Sequence, residues 1–463
     1  MAKMTAFSRS ICSGRSRHYF SRSQYRSMAI YAIGEGWTGA LTQRYARDSI
    51  GGHFDEETFD EPVMIYPHDD ILHADAGWGC SAFLNTQGQV QLVGRPQDLM
   101  ALLRMNRMPA FMRQWVSSNS DPSQTNILGR IVSKLIEVGT GGGDRELWEA
   151  ARELSLLHDW TKVDLNVNGV GDSSMSKIYC SAGFMAMIGK SGTLYTLGIN
   201  SRGQCGTGEL SNNEWIPAQV QGISLSENKG KDNLGQDQPV IQVALGFQHG
   251  FALTKLGQVF SWGKGMRGQL GRELRSDQDS IAKLIKTDFP VVKIASGNHH
   301  GALLDANNKV YIWGKNMGRG SSESGDEKPT DAPVPEMLEG LPLDHKVLDV
   351  TCGSHHTSIL LEDGSVYAIG IASDEATPLL DPVQLVQPGL LELPLRQFKA
   401  HQDRTTLVDN HGRVFQVHLW KNESLRDYAM FTPPYVETLL DEGQSIKEIH
   451  RGWLHTIIVT QPK

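Results

Sequence analysis

An all-β, seven-bladed β-propeller is the fold this sequence predicts, with a closing blade split between the two ends of the chain and a helical insertion. Three observations predict it. A two-part strand pattern returns about every fifty residues, turn dipeptides recur at fixed places within it, and the N-terminal region supplies a half-copy that the C-terminal copy lacks. A strand repeat of that period builds a propeller or solenoid, because each unit buries its apolar face only against its neighbours.

The first half of the repeat is an alternating apolar run that passes through Gly-x-x-His. It reads "VIQVALGFQHGFALT" from Val240, "VVKIASGNHHGALL" from Val291, "VLDVTCGSHHTSILL" from Val347 and "IKEIHRGWLHTIIV" from Ile446. Three further copies depart from it. The Ile71 copy has Cys80 in the His place and the Lys177 copy has Ala186, while the Leu395 copy has Ala400 for Gly and Asp403 for His. These make seven first halves.

The second half follows a tight turn, as in "KLGQVFSWGKGMRGQLG" and "ANNKVYIWGKNMGRG". Ser191-Gly192 and Asp363-Gly364 between period-two apolar runs are hairpin signals, since glycine supplies the positive φ such turns require. Six second halves follow their first halves, and the seventh is "MAIYAIGEGWTGALT" (Met28 to Thr42), with no first half before it. Pairing of these N-terminal strands with the C-terminal copy closes the ring and removes free sheet edges.

Gly-x-x-His, a hairpin and then a Val-Tyr-x-Trp-Gly run ending in Gly-Gln-Leu-Gly resemble the regulator of chromosome condensation repeat family. The resemblance implies a seven-bladed propeller with this split blade. It covers Met28 to about Arg95 and Ser176 to Pro462, strongest in the blades that start near Val240, Val291 and Val347 and weakest near Ile71 and Leu395. Trp-Asp ends and Gly-Gly pairs, which would mark other propeller repeats, do not recur.

The first 27 residues differ from the rest. They hold Lys3, Arg9, Arg15, Arg17, Arg22, Arg26 and seven serines, with the first carboxylate at Glu35. That composition is the signature of an organelle transit peptide, most simply mitochondrial, and places the propeller at 28–463 in the matrix or at the inner membrane. A basic tail or nuclear signal is the alternative. Without residues 1–27 the chain has 38 basic and 52 acidic groups, a net charge of −14, against coating nucleic acid nonspecifically. No apolar run reaches the roughly eighteen residues of a transmembrane helix.

Residues 97–160 read as helical. Asp98 caps a first helix with Leu99, Leu102 and Leu103, Ile127, Ile131 and Leu135 mark a second, and Asp144 caps a third. Their apolar stripes suit packing on the propeller, and the outer side of so long an excursion is a candidate docking element.

Motifs of covalent chemistry fail inspection. Gly183 to Ser191 imitates a phosphate loop, but five residues separate Gly183 from Gly189-Lys190-Ser191 and a hairpin follows instead of a helix. "GTGGG" at Gly139 to Gly143 lacks the following Lys and reads as a flexible joint. Cys12, Cys80, Cys180, Cys205 and Cys352 show no metal-type spacing; Cys12 leaves with the transit peptide, and the other four read as reduced thiols mostly packed in blades. His249, His300, His356 and His455 share one repeat position, so each is expected to hydrogen-bond within its own blade. Photoreceptor members of the family repeat Gly-Trp-x-His, which here fits Trp453 and partly Trp78. No catalytic residue, cofactor or metal ligand is predicted.

Two functional classes follow from the resemblance. In the first, a propeller face docks on a small GTPase and expels its nucleotide by binding the empty state more tightly. That needs no covalent chemistry. The family uses a projecting wedge; the nearest stretch by length and composition is Gly222 to Gln238, where Asn228, Lys229, Asp232 and Asp237 are the partner-contact candidates. The same cluster also reads as an ordinary solvated loop. In the second class the propeller is a scaffold that gathers RNA-processing or ribosome-assembly proteins. Fold does not choose between them.

Overall fold

The computed structural model describes residues 29–35, 58–66, 70–77, 80–94, 161–162, 172, 174–211, 213–223, 239–273, 277–321, 327–342, 344–371, 378–419, 430–433, 436, 439, 443–452 and 455–462. The N-terminal 27 residues, the 97–160 insertion, Trp78, Trp453 and the four partner-contact candidates Asn228, Lys229, Asp232 and Asp237 lie outside them.

The described strands form seven four-stranded antiparallel sheets. The chain opens with β1 (Ala29–Glu35) and β2 (Thr58–Tyr66), the outer strands of blade 7. Blade 1 is β3 (Ile71–Ala76), β4 (Cys80–Asn85), β5 (Val90–Gly94) and β6 (Thr161–Lys162). Blade 2 is β7 (Met175–Cys180), β8 (Phe184–Gly189), β9 (Leu194–Ile199) and β10 (Asn213–Gln219). Blade 3 is β11 (Val240–Leu245), β12 (His249–Thr254), β13 (Val259–Lys264) and β14 (Gln278–Ile285). Blade 4 is β15 (Val291–Ser296), β16 (His300–Asp305), β17 (Val310–Ser321) and β18 (Glu327–Met337). Blade 5 is β19 (Val347–Cys352), β20 (His356–Leu361), β21 (Val366–Ile371) and β22 (Pro378–Val386). Blade 6 is β23 (Gln397–His401), β24 (Arg404–Val408), β25 (Val414–His418) and β26 (Met430–Phe431), and β27 (Gln444–Arg451) with β28 (His455–Pro462) completes blade 7.

The split blade is therefore present as expected. β1 lies between β28 and β2, in a ladder that runs from Ala29↔Thr460 to Gly34↔His455. The first strands of successive blades touch one another round the ring and line its channel. Hairpin glycines Gly192, Gly257 and Gly364 have φ of 90°, 78° and 83°, and Asn308 takes the same conformation at 70° in blade 4.

Alternation breaks at one place in the inner strands. A bulge at Ile71/His73, Met175/Lys177, Val240/Gln242, Val291/Lys293, Val347/Asp349 and Ile446/Glu448 turns the intervening residue outward. Leu72, Ile241, Val292 and Leu348 are exposed for this reason. The flanking apolar residues stay in the core, as in Val240 with Val243 and Val291 with Ile294. Trp262 and Trp313 are fully buried, and their indole N–H groups donate to the carbonyls of Gln204 at 2.8 Å and Gln269 at 3.0 Å in the preceding blade. The Trp-Gly and Gly-Gln elements of the repeat thus meet across a blade joint. Among the described residues no helix is long and apolar enough to cross a membrane.

Candidate functional site at the channel mouth

Each inner strand ends where the repeat glycine stands, so this end of the channel is built from the Gly-x-x-His turns. A Cβ on Gly246 would overlap the His249 ring and lie 2.7 Å from the Gly297 carbonyl of the next blade; one on Gly353 would lie 2.6 Å from the Gln402 carbonyl. Glycine is required there by close approach. The histidines turn out to latch neighbouring blades, instead of bonding within their own as expected. His249 Nε2 lies 3.1 Å from Ser296 Oγ, His300 Nε2 3.1 Å from Thr357 Oγ1, His356 Nε2 3.2 Å from Thr405 Oγ1 and His455 Nε2 3.0 Å from Ser81 Oγ. Burial pushes His249 and His300 down to about 3 and His356 and His455 down to about 4, so all four imidazoles are neutral at pH 7.

The strand register also corrects two alignments. The residue facing the third strand's glycine is His249, His300, His356 and His455 in four blades, and Cys80 in blade 1, as read from the sequence. In blade 2 it is Phe184, which faces Gly198, and not Ala186. In blade 6 it is Arg404, which faces His418, and not Asp403. Ser181 and His401 consequently occupy the glycine place in these blades, each three residues before that position. Both shifts arise because the turn keeps its length while its glycine is lost.

The inner-strand residue two places before the turn's glycine position differs between blades. It is Ala244, Ala295 and Thr351 in blades 3 to 5, but Lys399, His450 and Asp75 in blades 6, 7 and 1. Lys399 Nζ donates to Asp75 Oδ1 at 2.7 Å and lies 3.2 Å from His450 Nδ1. His450 Nδ1 is 3.2 Å from Asp75 Oδ1, and its Nε2 is 3.0 Å from Glu448 Oε2. The backbone N–H of Cys180 in blade 2 donates to Asp75 Oδ2 at 2.8 Å. Burial alone would raise the Asp75 carboxyl, but Lys399 and His450 outweigh it and hold it well below the usual carboxylate range. Glu448, which burial would also raise, is brought to about 2 chiefly by its hydrogen bond with His450. This buried, compensated network ties the split blade to both its neighbours, and it sits where the repeat is most degraded.

A cavity of about 110 Å³ opens at the mouth, lined in part by Cys180, Asn298, Cys352, Ser354, His401 and Arg451. It has room for a few waters and is far smaller than a nucleotide site. Among the described residues no three metal-ligating side chains converge.

Beside the mouth, blades 3 to 5 carry a basic sector. The backbone N–H groups of Lys264 and Lys315 donate to the Gln248 and His299 carbonyls, both at 2.9 Å, which sets each lysine against a mouth turn. His299 is pushed down to about 4, first by burial and then by Lys315, Lys264, His355 and Arg267. Arg267 is paired with Asp331 at 3.3 Å, while Phe247 packs edge-on to His299 with centroids 5.8 Å apart and Met266 is 58% exposed. Positive charge, an aromatic ring and an exposed thioether thus share one rim of an acidic chain, a combination that suits an anionic protein surface.

The four partner-contact candidates of the sequence lie outside the described residues, and only their flanks are placed. Ile223 and Pro239, which flank the stretch with Asn228, Lys229, Asp232 and Asp237, join the end of β10 to the start of β11, at the end of the ring opposite the mouth. Gly94, the last described residue before the 97–160 segment, pairs with Cys80 on the mouth side.

Comparison with known proteins agrees with this geometry. Family models of the regulator of chromosome condensation (RCC1) repeat match residues 191–253 and 257–304, and again 240–269 and 291–320. The human E3 ubiquitin-protein ligase HERC2 is 35% identical over 225 residues, 47% of this chain and 4% of that protein. Protein pim1 of Schizosaccharomyces pombe is 30% identical over 201 residues, 42% of this chain and 34% of that protein. The chain thus spans well under two thirds of these relatives. Among solved structures, human WBSCR16 superposes with a TM-score of 0.63 at 17% identity, covering 94% of this chain and 100% of that one. Yeast RCC1 (Prp20), solved bound to Kap60, superposes with a TM-score of 0.64 at 15% identity, covering 100% and 97%. With residues 191–320 matched in sequence and its seven closed blades matched in structure, the chain carries regulator of chromosome condensation repeats in a seven-bladed propeller.

Proposed function

We propose that this propeller is a protein-interaction module of the mitochondrion that docks a GTPase on its channel mouth and promotes guanine-nucleotide exchange. The observation that carries the reading is the basic and aromatic sector of Lys264, Arg267, His299, Lys315 and Phe247 beside a cavity too small for a nucleotide. Such a face acts on a partner's nucleotide by gripping the partner. The structural relative Prp20p of Saccharomyces cerevisiae was described together with its binding to Gsp1p and histones, in support of a protein partner.

Catalytic amounts of residues 28–463 are expected to accelerate release of labelled GDP from a mitochondrial GTPase, and excess nucleotide to dissociate the complex. Lys264→Glu together with Lys315→Glu should remove at least tenfold of that acceleration while leaving the melting temperature within a few degrees. Binding that is indifferent to nucleotide, with no acceleration across the mitochondrial GTPases, would assign the chain instead to the scaffold class, in RNA processing or ribosome assembly. The compartment has its own check. Deleting residues 1–27 should abolish co-localisation with a mitochondrial marker, and unchanged co-localisation would overturn the targeting assignment.

A further inference from the structure

The joint between blades 1 and 2 lacks the histidine latch that four other joints carry and has two thiols in its place. Where blade 3 meets blade 4, the latch joins the first residue of one blade's second strand, His249, to the last residue of the next blade's inner strand, Ser296. The same two places at the joint between blades 1 and 2 hold Cys80, the first residue of β4, and Cys180, the last of β7. Cys180 packs against the apolar cluster that contains Cys80. Gly77, whose N–H donates to the Cys80 carbonyl at 2.9 Å, would carry a Cβ 3.2 Å from Cys180 Cβ, so the backbones are also close.

We propose that Cys80 and Cys180 are a redox-modification site, forming a reversible disulfide that staples blade 1 to blade 2 when a small hydroperoxide reaches the channel mouth. Cys180 is the half-buried member and lines the mouth cavity, whereas Cys80 is fully buried, so the oxidant meets Cys180 first. The Cys180 thiolate attacks the distal peroxide oxygen; an S–O bond forms, the O–O bond breaks, and with hydrogen peroxide one water leaves. Cys80 then attacks the Cys180 sulfur, the S–S bond forms as the S–O bond breaks, and a second water leaves. Two thiols and one peroxide give one disulfide and two waters, the two electrons passing from sulfur to oxygen. The Cys80 thiol and burial push the Cys180 thiol well above its ordinary value, so the reaction is slow at neutral pH and quickens as pH rises. The other two described thiols are placed differently. Cys205 Sγ points at the Ile199 carbonyl at 3.4 Å and Cys352 Sγ at Thr357 Oγ1 at 3.3 Å, both within their own blades.

The test uses the full chain, reduced and then treated with stoichiometric hydrogen peroxide at pH 8.5, alkylated and digested. Mass spectrometry is expected to find the Cys80 and Cys180 peptides joined and lighter by two hydrogens, and to find them separate and alkylated after dithiothreitol. Oxidation should raise the melting temperature by about 3–5 °C, reversibly, because a loop of about a hundred residues is closed. Cys80→Ser should abolish both effects, and Cys352→Ser neither. Cys180 recovered as sulfinic acid, or Cys80 recovered as a free thiol after exhaustive oxidation, would overturn the proposal. The wild-type digest decides this even where a variant fails to fold.

Discussion

Lowering the pH from 7.5 to 5.5 is expected to cost this propeller about 5 kcal/mol of stability and at least 5 °C of melting temperature. The four blade latches alone supply that loss, and the other histidines that burial holds down, His73, His299 and His401, deepen it. His249 and His300 are held near 3 and His356 and His455 near 4 in the folded chain, against an ordinary value near 6.5 in the unfolded one. The unfolded state therefore binds more protons below pH 6.5. Stability is complete above that value and falls as pH drops toward the folded values, at roughly 1 kcal/mol per histidine for the first pH unit. The neighbours sharpen the effect. His356, His355 and His299 oppose a proton on His300; around His356, Asp403 favours one while His418 and His355 oppose it. Four such losses together are comparable with the whole stability of an ordinary domain. Thermal unfolding followed between pH 7.5 and 5 checks this, and a flat profile would contradict the latch assignment. His356→Gln, which keeps a side-chain hydrogen bond but cannot titrate, should remove about 1 kcal/mol of the pH-dependent loss.

Deleting residues 1–66 should leave the chain insoluble or without a cooperative melt, whereas deleting residues 1–27 leaves every described strand in place. The longer deletion strips β1 and β2 from blade 7. Ala29, Ile30, Tyr31 and Ala32 are all buried, and burial of Ile30 and Tyr31 alone is worth about 4 kcal/mol. The ladder to β28 is lost as well, which leaves Ile457 and Val459 on an open edge beside the His455 latch. Soluble yield and calorimetry of the two truncations separate the cases. Equal melting temperatures would mean that β1 contributes nothing to closure.

What could be read from the sequence was whatever each blade repeats. Gly-x-x-His, the hairpin dipeptides and the Trp-Gly element are local, recur at a fixed period and have steric reasons that hold in every blade. The N-terminal half-copy was readable for the same reason. The two register errors fell where the glycine is replaced, at Ser181 and His401; near Ser181 a neighbouring glycine, Gly183, offered a false match. The latches were beyond reach because the hydroxyl stands in the next blade and at two different repeat places, Ser296 in one case and Thr357, Thr405 and Ser81 in the others. The channel network combines Asp75 with Lys399 and His450, each more than 300 residues from it across the closure. Periodicity marks those positions as inner-strand places and says nothing of which charges meet.

Ala29 and Thr460, partners in the closing blade, are separated by 431 residues of chain. Bringing such distant segments together costs about 5 kcal/mol of chain entropy before one contact between them is made. The other six sheets form from neighbouring stretches, so the seventh waits for them, and β1, paired with β2, lacks its β28 neighbour until the final strand arrives. The order reverses when the protein is pulled apart. β1 enters and β28 leaves the sheet at the same end of an antiparallel pair, so a translocase or unfoldase gripping either terminus unzips the ladder one rung at a time. The ring is thus most easily opened from the two ends whose pairing completes it.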